Sequence, residues 1–380
     1  DDVTFAGTTT NFEPDPSAGG DTGGGGTGGG GAGDTGGAGT APGGIQVLGA
    51  TDRISGANRY ETSSLIADVF GTANAVVIAN GSNAKNGVDA LAANYLAGRV
   101  AAPILLTEAT TVPATVLASV KSVLTGSANP TIYVMGKSDA VSDAVVSAIK
   151  AAAASVSTGT VTVVRVAGNN RYETSAKAAE QAGEVQAVKT SSTRAAAKTA
   201  ILTSGGVNAD ALSAGPISYS MGVPVLLTNG ASVDATVVAA IHKLGITQLL
   251  VLGGPDRVSQ AALSATGIAA DHTVRIAGVN RFATSADLYT FALQTMGYHG
   301  GDDTDTYLGN ALGGFPDVLS SGPLAGKAGA AVLTVGQGNS LDLAVQAYLR
   351  KHSTANITAL GGPDRVSAEQ LTEARKLANE

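Results

Sequence analysis

The chain has 380 residues, a formal net charge of −7 and no cysteine, which excludes disulfides, thiolate catalysis and cysteine-bound metal. The acidic balance argues against nucleic acid or an anionic membrane as a partner attracted by charge alone, and no apolar run approaches the roughly 18 residues of a membrane span. Aromatic residues make up only 4% of a chain that is 44% hydrophobic, so we expect alanine, valine and leucine to fill the core.

The first 44 residues differ in composition from the rest of the chain. Residues 1–16 are polar, and from Ser17 to Gly44 glycine accounts for 16 of 28 residues. Such a segment buries too little apolar surface to offset the entropy of ordering. We therefore predict that residues 1–44 are a disordered N-terminal segment and a glycine-rich linker.

From residue 45 onward, helix and strand signals alternate. In the first third of this region we predict helices at 59–70, 88–99, 113–124 and 139–151, and strands at 75–80, 104–107, 131–135 and 161–166. We expect residues 45–49 to supply a preceding strand. Short apolar strands that alternate with helices are typical of parallel sheets covered on both faces, so we predict doubly wound α/β layers.

One phrase occurs three times and divides this region. It reads Arg53-Ile-Ser-Gly-Ala-Asn-Arg-Tyr-Glu-Thr-Ser63, and close copies begin at Arg165 and Arg275, with spacings of 112 and 110 residues. That period is too long for a solenoid repeat and suits a small domain. We therefore predict three tandem modules, at residues 45–164, 165–274 and 275–380.

An asparagine precedes the predicted helix in each copy of the phrase. Asn58 and Asn170 stand in N-cap positions, with Glu61 and Glu173 three residues later, as in a capping box. The third copy, which contains Asn280, has alanine in place of the glutamate. Capping is therefore the structural explanation of the asparagine and the glutamate.

Capping does not explain the arginine that follows the asparagine. Arg59, Arg171 and Arg281 lie in the first turn of a predicted helix, where the helix dipole disfavours a cation by roughly 0.3–1 kcal/mol. We therefore expect the charge to be used, either in a pair with a carboxylate at a module interface or in contact with an anionic ligand. The candidate carboxylates within the chain are Asp89, Asp210 and Asp317.

These aspartates open the helix that follows the first strand of each module, so a first-turn or N-cap role also explains them. Polar residues at the carboxyl ends of the same strands are Asn80, Thr203 and Asn310. Ligands of open α/β sheets bind outside these strand ends. Amide, hydroxyl and carboxyl groups suit hydrogen bonding to sugar hydroxyls, and they suit ordinary loops equally well.

The remaining motifs indicate turns and loops. The runs from Gly253 and Gly361 read Gly-Gly-Pro-Asp-Arg-Val-Ser and match neither the dinucleotide fingerprint nor the P-loop, so we interpret them as strand-to-helix turns with a serine cap. The four histidines lack ligand spacing, and Asp302-Asp-Thr-Asp305 lacks the glycine and glutamate of a calcium loop. We predict no catalysis, no cofactor and no metal.

The repeated phrase, the strand Pro103-Ile-Leu-Leu-Thr107 with its counterpart Pro224-Val-Leu-Leu-Thr228, and the Gly-Gly-Pro turns resemble the cell wall binding repeat type 2 family over about residues 45–380. The resemblance implies three Rossmann-like or toprim-like α/β modules with parallel sheets, packed about a pseudo-threefold axis. It also implies an extracellular, S-layer-associated protein of Gram-positive bacteria, anchored non-covalently to an anionic wall polysaccharide. The third module departs from the family pattern at residues 330–334.

We therefore predict a non-enzymatic anchor at the cell wall, without nucleic-acid binding or membrane insertion. Its partner would be a teichoic-acid-like or other secondary polymer, with neighbouring surface proteins as further partners. The expected contact residues are Asn58, Arg59, Asn80, Asp89, Asn170, Arg171, Thr203, Asp210, Asn280, Arg281, Asn310 and Asp317. The alternatives are a structural protein whose modules pack into a surface lattice, and an enzyme that uses the strand-end clefts.

Overall fold

The computed structural model describes residues 52–82, 87–206, 209–298, 304–312, 317–352 and 354–380. The predicted N-terminal disordered segment, the glycine-rich linker and the predicted strand at 45–49 lie outside these residues. The described part is an α/β structure with three sheets, which confirms the predicted fold class.

The strands are β1 (Arg53–Ile54), β2 (Ala75–Asn80), β3 (Ile104–Thr107), β4 (Thr131–Met135), β5 (Thr162–Val166), β6 (Ala187–Val188), β7 (Ala197–Ser204), β8 (Val225–Thr228), β9 (Gln248–Leu252), β10 (Thr273–Ile276), β11 (Thr304–Asn310), β12 (Ala331–Val335) and β13 (Thr354–Leu360). The helices are α1 (Arg59–Phe70), α2 (Val88–Arg99), α3 (Ala114–Leu124), α4 (Asp143–Ala154), α5 (Arg171–Ala182), α6 (Gly215–Met221), α7 (Ala235–Lys243), α8 (Gln260–Ala265), α9 (Arg281–Phe291), α10 (Gly322–Ala328), α11 (Leu343–Lys351) and α12 (Ala368–Ala378). A short 3₁₀ helix, Ala209–Ala214, leads into α6.

In the first module, α1, α2, β2, β3 and β4 have the predicted bounds. The helix α3 starts one residue later than predicted because Pro113 is its N-cap, with extended backbone. The helix α4 starts at Asp143 rather than at residue 139. Ser142 caps it by accepting a hydrogen bond from the backbone N–H of Val145, so the residues before the cap form a turn.

Each sheet takes its last strand from the following module. The strand orders are β3-β2-β4-β5, β8-β7-β9-β10 and β12-β11-β13-β1, and every pairing within these orders is parallel. The short β6 adds to β7 as an antiparallel strand. Because β1 of the first module completes the third sheet, the three modules close into a ring. The division at residues 45–164, 165–274 and 275–380 stays a prediction, since the first strand of each phrase belongs in space to the module before it.

Equivalent residues of the three modules meet where α2, α6 and α10 pack together. Asn94, Gly215 and Gly322 each follow the module's aspartate by five residues. A Cβ atom on Gly322 would lie 1.9 Å from Oδ1 of Asn94 and 3.1 Å from the carbonyl carbon of Gly215. Three equivalent positions therefore share one point, which is the predicted pseudo-threefold axis.

A second layer of the same axis lies one helical turn further on. A Cβ atom on Gly98 would lie 2.1 Å from the backbone oxygen of Tyr219, and one on Gly326 would lie 2.8 Å from Cδ1 of Tyr219. In both layers one module supplies a side chain and the other two supply glycine. The three helix backbones are therefore arranged with approximate threefold symmetry, whereas the side chains at the axis differ between modules.

Candidate functional site

The asparagine of each phrase is an N-cap, as predicted. Oδ1 of Asn58 accepts hydrogen bonds from the backbone N–H groups of Tyr60 and Glu61, both at 3.0 Å. The Glu61 carboxylate accepts from the N–H of Ala57 at 2.8 Å, one residue earlier than a capping box requires. Corresponding bonds start α5 and α9, where Oδ1 of Asn170 accepts from the Glu173 N–H, and Oδ1 of Asn280 from the N–H groups of Phe282 and Ala283.

The rest of the phrase fixes its helix to its own sheet. The N–H of Gly56 donates to Oγ1 of Thr62 at 3.1 Å, and Oγ of Ser63 accepts from the N–H of Leu106 in β3 at 3.1 Å. A Cβ atom on Gly56 would lie 2.5 Å from Cβ of Glu61, so this turn requires glycine. The same threonine and serine bonds recur at Thr174, Ser175, Thr284 and Ser285.

Three equivalent groups of charged residues and glycine lie at the carboxyl ends of the strands, one at each module junction, and we refer to the place of each group as a cleft. We call them the first, second and third cleft. The first contains Asp89, Gly136, Arg165 and Arg171; the second contains Asp210, Gly253, Arg275 and Arg281; the third contains Asp317, Gly361, Arg53 and Arg59. In each, the aspartate and glycine come from one module and the two arginines from the next.

The first arginine of each phrase ties two modules together. In the second cleft, Nη1 and Nη2 of Arg275 donate to the backbone oxygens of Gly253 and Val258 at 2.6 and 2.7 Å. Arg53 donates in the same way in the third cleft, to Gly361 at 2.6 Å and Val366 at 2.8 Å. Sequence reasoning did not single out these arginines, although their place at the start of all three copies was a visible signal.

The second arginine of each phrase lies closer to its own module. Nη1 of Arg59, Arg171 and Arg281 donates to the backbone oxygen of Gly81, Gly205 and Ala311 at 2.7, 2.6 and 2.8 Å, just past the end of the first strand. The positive charge of each guanidinium also lowers the pKa of an aspartate of the preceding module: Arg59 acts on Asp317, Arg171 on Asp89 and Arg281 on Asp210. No ion pair in the described part of the chain joins these arginines to these aspartates, and each guanidinium is partly exposed. Pairing at the module interface and contact with an anionic ligand therefore both stay predictions.

The aspartates pack against the glycine that follows the third strand of their own module. A Cβ atom on Gly136, Gly253 or Gly361 would lie 2.9, 2.8 or 2.5 Å from Oδ2 of Asp89, Asp210 or Asp317, and these glycines have φ values of 87°, 99° and 92°. Burial raises the pKa of all three carboxyls, that of Asp89 to about 6, while the facing arginines act in the opposite direction.

The strand-end polar residues are buried and bonded within the fold. Nδ2 of Asn80 donates to the backbone oxygen of Ala140 at 2.5 Å, and Nδ2 of Asn310 donates to that of Arg365 at 2.7 Å. Strand register places Ser204, not Thr203, at the position equivalent to these asparagines. The Thr203 hydroxyl instead donates to the Leu252 oxygen inside the sheet.

The capping asparagines are exposed and differ in their neighbours. Nδ2 of Asn170 donates to Asp234 at 3.1 Å, and Nδ2 of Asn280 donates to Asp342 at 2.8 Å. The first module has Pro113 at the corresponding helix start. An anion that approaches the second or third phrase therefore meets a carboxylate that the first phrase lacks.

The family model for cell wall binding domain 2 matches three tandem segments of the chain, residues 53–146, 165–263 and 275–371. The chain belongs to this family. The match confirms the family resemblance seen in the repeated phrase. Membership of cell wall binding domain 2 also confirms the predicted location at the cell wall. Within the described ranges, no helix is both long and apolar enough to cross a membrane.

Two proteins of Bacillus subtilis (strain 168) are similar to this member of the family. The chain is 26% identical over 324 residues to the N-acetylmuramoyl-L-alanine amidase LytC, covering 85% of this chain and 58% of the amidase. It is 27% identical over 325 residues to the amidase enhancer, covering 85% of this chain and 40% of the enhancer. The chain thus spans less than two thirds of either relative.

Solved structures of Cwp6 and Cwp8 from Clostridium difficile have the same fold. Cwp6 matches with a TM-score of 0.68 at 22% identity, over 85% of this chain and 47% of that chain. Cwp8 matches with a TM-score of 0.70 at 24% identity, over 86% of this chain and 51% of that chain. They support the α/β fold with three modules.

The described residues of this cell wall binding chain contain no group of three or more His, Cys, Asp or Glu side chains that could hold a metal ion. The predicted loop at Asp302 begins outside the described residues.

Two carboxyls predict how stability depends on pH. Burial raises the pKa of Asp89 and of Asp287 to about 6 each, from about 3.8 for the unfolded group. In the unfolded chain these carboxyls lose their protons near about pH 4, whereas in the folded protein they keep them until about pH 6. Between these values deprotonation favours the unfolded chain, so the free energy of unfolding falls as the pH rises. The loss is complete once the pH has passed about 6. We expect the D89N/D287N variant to lose less stability than the parent between pH 5 and pH 7, by on the order of 1–2 kcal/mol.

Urea denaturation at the two pH values measures this difference. E369Q, which neutralises an exposed carboxylate at the start of α12, is the control. If the parent and D89N/D287N show parallel pH dependence, the two carboxyls do not titrate as stated.

Proposed function

We propose that this protein is a non-catalytic anchor that binds an anionic secondary polysaccharide of a Gram-positive cell wall non-covalently through its three repeated modules. One observation carries the proposal: the fold places Arg59, Arg171 and Arg281 at equivalent module junctions, at the strand ends where α/β proteins bind ligands. A guanidinium suits the planar oxygens of phosphate and carboxylate groups. Membership of cell wall binding domain 2 supports the wall as the target.

The exposed side chains supply the direct contacts in this proposal. Each arginine uses Nη1 for its own module and keeps further N–H donors for a ligand. The capping residues Asn58, Asn170 and Asn280 are exposed beside them and present amide groups to sugar hydroxyls. The other candidates are buried or half-buried and do not supply direct contacts in this proposal; they are Asn80, Asp89, Thr203, Asp210, Asn310 and Asp317.

A polymer with repeating charged units is the natural ligand of three linked sites. When one site is occupied, the next binds within the same complex, and such linkage raises avidity on the order of 10²–10⁴-fold without a tight individual site. The net charge of −7 argues against binding by overall charge, so we assign recognition to these local cations.

We further infer that the clefts bind and do not hydrolyse. The carboxylates that an acid–base mechanism would need pack over glycines beneath the cleft surface. The names amidase and amidase enhancer belong to proteins of which this chain matches 58% and 40%. We therefore propose that the shared part supplies attachment to the wall.

Co-sedimentation with purified walls of Bacillus subtilis and Clostridium difficile tests the proposal. We expect binding to intact walls, and its loss when hydrofluoric acid removes phosphate-linked polymers. The R59A/R171A/R281A variant should bind at least about tenfold more weakly, since a hydrogen bond to a charged group contributes about 1.5–3 kcal/mol.

The exposed Arg350 offers a matched control, because it pairs with Glu380 at the far end of α11. R350A removes one positive charge and should bind as the parent does, and circular dichroism should show that all variants are folded. Undiminished binding by the triple variant would refute the arginine assignment. Self-assembly without wall material would favour the surface lattice instead.

A further inference from the structure

The turn after the third strand carries an arginine in the second and third modules that the proposed contacts do not use. A Cβ atom on Gly253 would lie 3.0 Å from Cβ of Arg257 and 2.8 Å from Oδ2 of Asp210. At the equivalent turn, the same point on Gly361 lies 3.2 Å from Cγ of Arg365 and 2.5 Å from Oδ2 of Asp317. The arginine stem and the buried carboxylate thus share one face of each turn.

The charge of a second guanidinium, from the following module, acts on the same carboxylate. Burial raises the pKa of Asp210, and a hydrogen bond from Thr284 and the charges of Arg257 and Arg281 act against it. Asp317 has the same surroundings in Thr62, Arg365 and Arg59. The side chains of Arg257 and Arg365 are 42% and 30% exposed, so solvent and ligands reach them.

The first cleft lacks this second arginine. Its turn has Ala140 where the others have Arg257 and Arg365, and among the described residues Arg171 is the cation whose charge acts on Asp89. Lys137 of the same turn bonds to the second phrase instead, since its Nζ donates to Oδ1 of Asn169 at 2.7 Å. The three clefts therefore share a backbone and differ in cations.

We propose that the second and third clefts, and not the first, hold the acidic groups of the wall polymer, each between two arginines: Arg257 with Arg281, and Arg365 with Arg59. This assignment rests on the proposed anchoring function and identifies which clefts perform it. The ligand group is a phosphate or a carboxylate, whose oxygens accept parallel hydrogen bonds from guanidinium groups.

The local charges favour the paired clefts. In the second and third clefts the charges of two guanidiniums act on one buried carboxylate. Arg257 and Arg365 also pair with Asp256 at 3.3 Å and with Asp364 at 3.4 Å, but these two carboxylates are 70% and 75% exposed, where salt and water screen them. Asp342, which accepts a hydrogen bond from Asn280, adds a further carboxylate beside the second cleft. In the first cleft, among the described residues, the charge of one guanidinium acts on Asp89, with Asp139 nearby.

The full chain and purified Bacillus subtilis and Clostridium difficile walls supply the test. R257A/R365A should weaken wall binding at least about tenfold, whereas R350A should bind as the parent does. R281A should weaken binding more than R171A, although both arginines make the same bond to their own module. A140R places the missing arginine in the first cleft and should tighten binding.

The outcomes separate this inference from the anchoring function. Suppose that R257A/R365A binds as R350A does while R59A/R171A/R281A has lost binding. The assignment of the acidic groups to the second and third clefts is then wrong, and the proposed anchoring function is unaffected. Equal losses of wall binding in R171A and R281A would also contradict this assignment. If the parent protein does not bind walls, both proposals fall. Loss of binding after hydrofluoric acid treatment places the bound acidic group on a phosphate-linked polymer, and retained binding would contradict such a polymer as the ligand.

Discussion

The variant G98A is expected to lower the free energy of unfolding by about 3 kcal/mol or more, one of the largest effects of a single methyl group in this protein. In an exposed helix the same change stabilises by up to about 1 kcal/mol, because alanine is the better helix former. Here the added Cβ would lie 2.1 Å from the backbone oxygen of Tyr219 and 2.8 Å from its carbonyl carbon. Backbone atoms of α6 cannot rotate away, so α2 and α6 must separate.

A matched pair of variants shows whether the axis is the cause. G322A meets a side chain instead, Oδ1 of Asn94 at 1.9 Å, and that oxygen is buried without a hydrogen-bond partner among the described residues. N94A/G322A should therefore recover most of the stability that G322A loses, whereas Y219A should not rescue G98A. Urea denaturation of these variants provides the free energies. A stability gain in G98A would mean that the helices do not meet as described.

The local parts of the fold were predictable because they depend on neighbours in sequence. The bounds of α1 and β2, and the capping by Asn58, follow from apolar periodicity and from a side chain that bonds N–H groups two and three residues away. The sequence offered two uses for the Arg171 charge, a carboxylate at a module interface or an anionic ligand. In the structure this charge lowers the pKa of Asp89 across a module junction, and both uses stay predictions.

Features that depend on the closed ring were not predictable in this way. No local signal shows that β1 pairs with β13, some 300 residues later, because parallel partners are chosen by the packing of whole modules. For the same reason the sequence does not show the role of Arg53, because its hydrogen-bond partner Gly361 is 308 residues away. Thr203 was chosen in place of Ser204 because a one-residue shift in strand register changes which side chain lies at the sheet edge.

The phrase also shows why repetition alone does not identify a binding residue. Gly56, Asn58, Thr62 and Ser63 recur because each makes a bond or close approach that fixes a helix to a sheet. Arg257 and Arg365 recur in two modules only, and the first module is folded without them. The turn therefore folds without this arginine, so its charge is available to a ligand in the modules that have it.

The bonds of Arg275 predict that R275A will destabilise the protein by about 3 kcal/mol or more. The residue is 8% exposed, and its two bonds to Gly253 and Val258 join β10 to the turn of the preceding module. A hydrogen bond to a charged group contributes about 1.5–3 kcal/mol, and its loss leaves a buried carbonyl unpaired.

Arg165 is the matched control for this prediction, because it occupies the same place in the first cleft but donates to only one carbonyl, that of Gly136, at 2.9 Å. Its second bond is to Asp143, whose side chain is 85% exposed, and such a surface pair contributes about 0–1 kcal/mol. R165A should therefore cost clearly less than R275A in guanidinium denaturation. Hydrogen exchange should also rise at β9 and β10 in R275A, because that sheet loses the anchor of its edge strand. If R165A and R275A lose equal stability, burial of the guanidinium does not set the strength of the module junction.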